Sequence, residues 1–276
     1  METSYYVVVL CVTSLFFVLV LPNGFCIADR NLQRGSECSA ADHSVMEAEF
    51  ETNLGSLLDS LASNVVGHHG FYQASVGKKN NKVYGEVLCR GDISANNCSN
   101  CISESVKFAS HNCPKSREVL VWFTWCFLRY SNESFFGVME STAAAITNDT
   151  DLEDPSLVSE GLDVMSSLVV SAPEQPYMFQ TLMMMALNRS RYGMVQCTRD
   201  ISRTDCLACL KTQVTNFRNV IGNKRRWEIY GHNCFMWYND YQFYSDVTPL
   251  LSDARRTSCV GILAIVVTVV SFLLVL

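Results

Sequence analysis

Apolar residues Phe50, Leu54, Leu57, Leu58, Leu61 and Val65 recur at the i, i+4, i+7 spacing of a helix with one buried face. The run Gly67-His68-His69-Gly70 ends it, and the period then changes. Phe71 to Val76 and Lys82 to Cys89 read as strands joined by the polar turn Gly77-Lys78-Lys79-Asn80-Asn81. A second helix is predicted from near Asn97, with Cys98, Cys101, Ile102, Val106 and Ala109 on a shared face. Val119 to Tyr130 is the strongest strand signal. Taken as one strand, its alternation puts Leu120, Trp122, Thr124, Cys126, Leu128 and Tyr130 on a single side.

Beyond Pro155 the pattern starts again. Leu157, Leu162, Met165 and Val169 predict a helix, Met178 to Met185 and Tyr192 to Cys197 two strands, and Leu207, Leu210, Val214 and Phe217 another helix, with Arg226 to Tyr238 closing the sheet. The run Met183-Met184-Met185 sits in a strand-like stretch and reads as core filling. The repetition is literal in places. Cys89 to Cys101 and Cys197 to Cys209 both read C-x8-C-x2-C, with Asp92-Ile93-Ser94 matching Asp200-Ile201-Ser202. The same offset of 108 carries Tyr84-Gly85 onto Tyr192-Gly193, Val87 onto Val195, Cys126 onto Cys234, Phe127 onto Phe235 and Tyr130 onto Tyr238. Two copies of one domain follow, expected at residues 30–137 and 145–246 with the boundary between Gly137 and Ala145.

Composition narrows the setting. Charged residues make up 17% of the 276 and the net charge is -6, so no basic field exists to attract a nucleic-acid backbone. Thirteen cysteines are too many for a reducing cytosol unless they bind metal. The apolar run Val7 to Leu21, the break at Pro22-Asn23-Gly24 and the small residues near Ala28 make residues 1–28 a secretory signal peptide, with a retained signal anchor as the alternative. Sequons occur at Asn97, Asn132, Asn148 and Asn188; Asn132, Asn148 and Asn188 are the candidates for glycosylation, because Asn97 is followed by Cys98, expected to be bridged. After a linker at 247–259, residues 260–276 form an apolar tail. As a helix it would rise about 26 Å, short of the ~30 Å hydrocarbon core. Arg255 and Arg256 would flank it on the lumenal side, against the positive-inside tendency. The tail therefore reads as the removable signal of a glycolipid anchor, with a short transmembrane segment as the alternative and truncation of a longer membrane protein as a third.

In an exported chain the cysteines read as structural disulfides. Neither a closed zinc site nor a thioredoxin-like pair accounts for the extra cysteine in each copy. The 108-residue offset maps Cys38 to Ile146 and Cys113 to Ile221, while the other four cysteines of the first copy keep counterparts. Loss of both together implies that Cys38 and Cys113 bond to each other, which leaves three of the 15 pairings of six cysteines. It also predicts that Ile146 and Ile221 touch.

The residues Tyr84-Gly85, Cys89-Arg90-Gly91-Asp92, Cys98, Cys101, Cys126 to Asn132 and Phe135-Phe136-Gly137 resemble the ginkbilobin-homologous domain. Tandem copies of that domain occur in plant cysteine-rich repeat secretory proteins, plasmodesmata-located proteins and the ectodomains of cysteine-rich receptor-like kinases. The resemblance covers about residues 30–246. It implies an α+β fold of two tandem domains, each a five-stranded antiparallel sheet packed against two helices. It also implies bridges Cys38–Cys113, Cys89–Cys98 and Cys101–Cys126, then Cys197–Cys206 and Cys209–Cys234. The mannose-binding member of that family uses an Asn, an Arg and a Glu. The matching positions are Ser39, Leu120 and Ser131 in the first copy. In the second copy the latter two are Glu228 and Asn239, with no first cysteine to anchor the Asn. Leu and Ser cannot replace a guanidinium and a carboxylate in the same hydrogen bonds, so this sugar site is expected to be degenerate.

No catalytic constellation stands out. His43, His68, His69, His111 and His232 are scattered, and His68-His69 reads as a solvated helix end. Glu228 and His232 would share a strand face by alternation alone, and Trp237, Tyr241, Phe243 and Tyr244 read as domain-packing aromatics. The expectation is a non-enzymatic module without cofactor or metal. It would lie outside the cell or on the outer face of the plasma membrane, held through its tail, and bind a protein partner or cell-wall glycan in plant defence or signalling. A plasmodesmal membrane protein and a secreted mannose-binding antifungal lectin are the alternatives.

Overall fold

The two C-x8-C-x2-C segments fold the same way, and the reason lies in their central Asp-Ile-Ser. In the computed structural model, Ser94 caps helix α2 (Ala95–Asn112), its hydroxyl accepting from the Asn97 N–H at 3.2 Å, and Ser202 caps α4 (Arg203–Ile221) by accepting from Asp205 N–H at 3.1 Å. Ile93 and Ile201 tuck into the cores beneath. The helix thus starts over the strand ends, and cysteines three apart in its first turns face the sheet together. Cys89 in β3 (Val83–Cys89) and Cys126 in β5 (Cys126–Ser131) are direct cross-strand neighbours. One bonds Cys98 and the other Cys101. The second copy repeats this with Cys197 of β8 (Arg189–Cys197) and Cys234 of β10 (Cys234–Asn239), bonded to Cys206 and Cys209. The fifth bridge joins Cys38 to Cys113.

The structure describes residues 30–40, 48–148, 150–186 and 189–245. The expected signal peptide, linker and apolar tail, together with Asn188, His43, Cys11, Cys26 and Cys259, lie outside the described residues. Among the described residues no helix is long and apolar enough to cross a membrane.

The first sheet has the order β1-β4-β5-β3-β2, completed by β1 (Gln33–Cys38), β2 (Phe71–Val76) and β4 (Val119–Phe123). The second has the order β6-β9-β10-β8-β7, with β6 (Ala143–Thr147), β7 (Phe179–Ala186) and β9 (Trp227–Gly231). All pairings are antiparallel. Helices α1 (Ala48–Asn64) and α2 cover one face of the first sheet; α3 (Pro155–Ser171) and α4 cover one face of the second. Gly85 and Gly193 are where helix and sheet come closest. A Cβ there would meet Leu57 at 2.9 Å and Leu168 at 2.7 Å.

Four expectations change. Val119 to Tyr130 is two strands turning at Thr124-Trp125. The hairpin pairs Trp122 with Phe127 and Val121 with Leu128, so Leu120 and Trp122 face away from Cys126, Leu128 and Tyr130. Helix α2 opens at Ala95, ahead of the expected start near Asn97, while β6, the edge strand of the second sheet, opens within the expected boundary region between Gly137 and Ala145. Met183 and Met185 are 51% and 62% exposed, and only Met184 packs against the core, since the run alternates across an edge strand.

Ile146 and Ile221 are the fourth. Ile221 lies in the helix-side core, whereas Ile146 packs on the opposite face of the sheet. Cys38 pairs with Val119 and Thr147 with Trp227, so the offset is 108 along β4 and β9 but 109 along β1 and β6. One extra residue flips every side chain of a strand. Thr147 is therefore the counterpart of Cys38, and Glu37 that of Ile146.

Replacing Cys209 and Cys234 together by Ala is expected to lower the unfolding free energy by about 3 kcal/mol, measured as a fall in the urea midpoint of the purified protein.

Candidate functional site

The helix-free faces of the two sheets meet, and their strands supply a second kind of core. Leu88, Leu120, Trp122 and Phe127 of the first repeat pack with Met194, Tyr230, Phe235, Trp237 and Tyr244 of the second. Phe127 and Phe235, the same position in each copy, stand 5.4 Å apart, so the seam has the self-complementary character of a two-fold dimer built within one chain. Trp122 Nε1 donates to the Gly231 carbonyl at 3.0 Å, and Gln196 both donates to the Cys89 carbonyl at 3.1 Å and accepts from Gly91 N–H at 3.2 Å.

The copies differ where they interlock. The Phe179 ring occupies the place a Cβ on Gly91 would take, at 2.6 Å. At the counterpart of Gly91 the second repeat has Arg199, which lies over Phe71, the counterpart of Phe179, at 5.5 Å and over Tyr177 at 4.5 Å. Burial pulls the Arg199 pKa down to about 10, and its guanidinium donates to the His69 carbonyl across the seam.

Ionisable groups close the rim. Glu228 is reached by Arg34 of the first repeat at 3.4 Å, accepts from Arg226 Nε at 3.1 Å and accepts from the Tyr230 hydroxyl at 2.7 Å, while Trp237 Nε1 donates to Tyr230 at 3.0 Å. Burial, then the charge and hydrogen bond of Glu228, hold the Tyr230 pKa far above its usual value, so Tyr230 stays a neutral donor. His232 lies in the β9–β10 turn and contacts Glu140 at 2.8 Å through Nδ1 and Glu37 at 3.2 Å through Nε2; its expected neighbour Glu228 is not among these partners. Glu140 also accepts from Arg129 at 2.6 Å. Burial alone would raise the Glu140 pKa, but the hydrogen bonds and charges of Arg129 and His232 bring it below the ordinary value. Glu86, fully buried opposite Arg129 in the β3–β5 pairing, has no hydrogen-bond partner for either oxygen. Burial, and then the charge of Asp200, push its pKa well up; Arg129 pulls the other way and Glu140 adds to the rise.

The five sugar-site positions fall around this seam. Ser39 accepts from the N–H groups of Arg117 and Glu118 at 3.0 and 3.1 Å, Ser131 accepts from Glu133 N–H at 3.1 Å, and Leu120, 2% exposed, lies beneath the second repeat. Asn239 accepts from Asp240 N–H at 2.9 Å, and Glu228 is held as described. The 109 offset supplies what the fixed one missed: Asn148 is the counterpart of Ser39, and its Oδ1 accepts from Arg226 N–H at 3.1 Å. Asn148, Glu228 and Asn239 thus occupy the three places in the second repeat, with a carboxylate where a guanidinium is needed and Arg226 folded onto it. Trp237, Phe243 and Tyr244 do pack in the seam, while Tyr241 is 44% exposed. Asn132, directly after β5, is half-buried. No group of three or more His, Cys, Asp or Glu is placed to hold a metal among the described residues.

Two five-stranded α+β repeats, each stapled by disulfides and joined face to face through an aromatic seam, define a tandem cysteine-rich module. The family model described as salt stress response/antifungal matches residues 37–133 and 153–241. The chain is 32% identical over 209 residues to the antimicrobial ginkbilobin-2-like protein of Castanea crenata, covering 75% of this chain and 86% of that protein. It is 30% identical over 221 residues to cysteine-rich repeat secretory protein 55 of Arabidopsis thaliana, covering 77% and 83%. The fold is that of the tandem DUF26 ectodomain of the Arabidopsis thaliana cysteine-rich receptor-like protein PDLP8, with a TM-score of 0.67 and 23% identity over 77% of this chain and all of that one. The chain belongs to the salt stress response/antifungal family of tandem ginkbilobin-homologous proteins.

Substituting Gly91 by Ala should cost about 1–3 kcal/mol, because the Phe179 ring must move, and a lower melting temperature would show it. The carboxylates give opposite pH limbs. The folded-state pKa of Glu86 is raised, so stability falls as pH climbs from the unfolded value of about 4 towards the folded one. That of Glu140 is depressed, so its contribution is present above about 4 and disappears as pH falls through the folded value. E86Q is expected to raise the melting temperature at neutral pH and flatten its decline between mildly acid and neutral conditions. E140Q should lower it at neutral pH and weaken the acid limb, both read by thermal melts across pH.

Proposed function

We propose that the protein is a non-enzymatic extracellular binding module, held at the cell surface through its C-terminal tail, which recognises a protein partner or cell-wall glycan in plant defence or signalling. The observation that carries this reading is that His232 and Glu228, the imidazole and carboxylate of the β9 region, are spent across the seam. His232 is held between Glu37 and Glu140, and Glu228 between Arg34, Arg226 and Tyr230. A side chain fixed by partners on both sides positions a scaffold and is poorly placed to turn over a substrate. Five disulfides suit an oxidising exterior. The relatives' names, secretory, antimicrobial and receptor-like, point the same way. A mannose lectin using the Asn, Arg and Glu positions is disfavoured by Leu120 lying under the second repeat and by Glu228 already bound.

The full chain, expressed in plant cells and treated with a phosphatidylinositol-specific phospholipase, is expected to appear in the medium with its described cysteines oxidised and with a mobility shift on removal of N-glycans. Retention on the membrane would replace the glycolipid anchor by a span. Cytosolic accumulation with free thiols would defeat the reading altogether.

A further inference from the structure

The helix-covered face of the second sheet holds an arginine that the scaffold does not need. Arg191 in β8 is 1% exposed, and its counterpart in the first repeat is Val83, an ordinary member of the helix-side core. Its Nε and Nη2 have no hydrogen-bond partner, and Nη1 reaches only the Ser190 carbonyl at 3.5 Å. The Tyr238 hydroxyl and Glu160 Oε2 are also unpartnered. Burial pushes the Tyr238 pKa up to about 12, with the charge of Arg191 lowering it and those of Asp240 and Glu160 raising it, which places all four groups in one electrostatic neighbourhood. The first repeat shows what this position does when it only supports the fold: it is a valine, and the counterpart of Tyr238, Tyr130, donates to the Ser116 carbonyl at 3.4 Å. A guanidinium put into such a place keeps two donor atoms that neither Glu160 nor Tyr238 takes up.

Arg191 lines a cleft of about 670 Å³ at the end of the sheet, together with Ser190, Tyr192, Arg225, Asp240, Tyr241 and Gln242. That volume is within the ~300–1,000 Å³ of small-molecule sites. Arg225 is held by Asp240, Nε to Oδ2 at 2.7 Å, so the lining itself keeps one cation in excess, with Glu160 of α3 the acid on the helix side. The half-exposed ring of Tyr241 stands at the rim. Arg191 is on the helix side of the sheet, whereas Glu228 and Asn239 project from the opposite face with the seam residues Tyr230 and Trp237; Tyr192 of the lining, paired with Asn239, makes the cleft and the degenerate sugar positions neighbours at the sheet's end.

We propose that the cleft binds the carboxylate of an acidic sugar, a uronate residue of a wall polysaccharide, with Arg191 as its charged anchor. This deepens the glycan arm of the function proposed above and rests on it. A uronate fits the donors and the acceptors together. Its single carboxylate takes the free N–H groups of Arg191, its hydroxyls donate to Asp240, and a ring face lies against Tyr241. A phosphate would bring more negative charge against Asp240 than a single carboxylate does, and an acidic peptide would leave that acceptor without a hydroxyl.

The test uses the full chain purified after secretion from plant cells, titrated calorimetrically with trigalacturonate, its methyl ester, mannotriose and a short polyglutamate peptide. Trigalacturonate is expected to bind roughly tenfold or more tightly than its ester. R191V, which installs the residue the first repeat carries, should lose binding by a similar factor while melting no lower than the parent. R191K should retain part of it, because one point charge replaces the planar fork. Equal binding of acid and ester, undiminished binding by R191V, or polyglutamate binding as tightly as the uronate would each overturn the inference. Binding of mannotriose without the uronate overturns it and leaves the glycan reading standing, and failure of every glycan to bind removes both.

Discussion

In each repeat two disulfides pin the first turns of a helix across the ends of two neighbouring strands, and the remaining architecture is arranged around that clamp. Because Cys89 faces Cys126, and Cys197 faces Cys234, the strands are in register before the helix is added. The x8 loop brings the chain back over them, the serine cap fixes where the helix begins, and the two-residue spacing aims both helical cysteines at the sheet. A domain of this size has limited core to spend on stability, and cross-links that restrict its unfolded chain supply what burial alone would not. The clamp therefore also fixes which face of each sheet carries helices and which is left bare.

The bare faces explain why the repeats come as a pair. A sheet covered on one side only presents Leu120, Trp122 and Phe127, or Tyr230, Phe235 and Trp237, to water unless a partner covers them. The chain supplies the partner itself. Near-symmetry makes the middle of the seam self-complementary, and departures from symmetry lock it: Gly91 receives Phe179, Arg199 covers Phe71, and Glu140, from the segment between the repeats, ties Arg129 of one to His232 of the other. Divergence of the second copy also freed positions from purely structural duty. Arg191 in place of a core valine is the clearest of these, and it lies away from the seam, on the helix-covered face of the sheet and among the residues that line the cleft at its end.

Much of the fold was legible in the residues. The helices, the duplicated cysteine ladder and the strands β2, β3, β7 and β8 follow from periodicity, and the Cys38–Cys113 bridge follows from two absences in the second copy. The edge strands β1 and β6 were harder to see. Gln-Arg-Gly-Ser-Glu-Cys in β1 is polar because much of it faces water, so it has no alternation to detect. Both hairpins, β4–β5 and β9–β10, read as single runs because their short turns, Thr124-Trp125 and His232-Asn233, are not the Gly-rich pairs that mark a reversal.

The sequence by itself determined the local events: where the helices and the strongly alternating strands fall, and that cysteines repeating under one offset belong to two copies of a stapled unit. Tertiary structure decided everything that depends on which side of a sheet a residue faces. Leu120 and Trp122 moved to the seam, Ile146 parted from Ile221, and Asn148 proved to be the counterpart of Ser39. The physical reason is the two-residue period of a strand. A turn or one inserted residue reverses the face of every side chain that follows, and pairing with the neighbouring strand, which lies far away along the chain, sets that register.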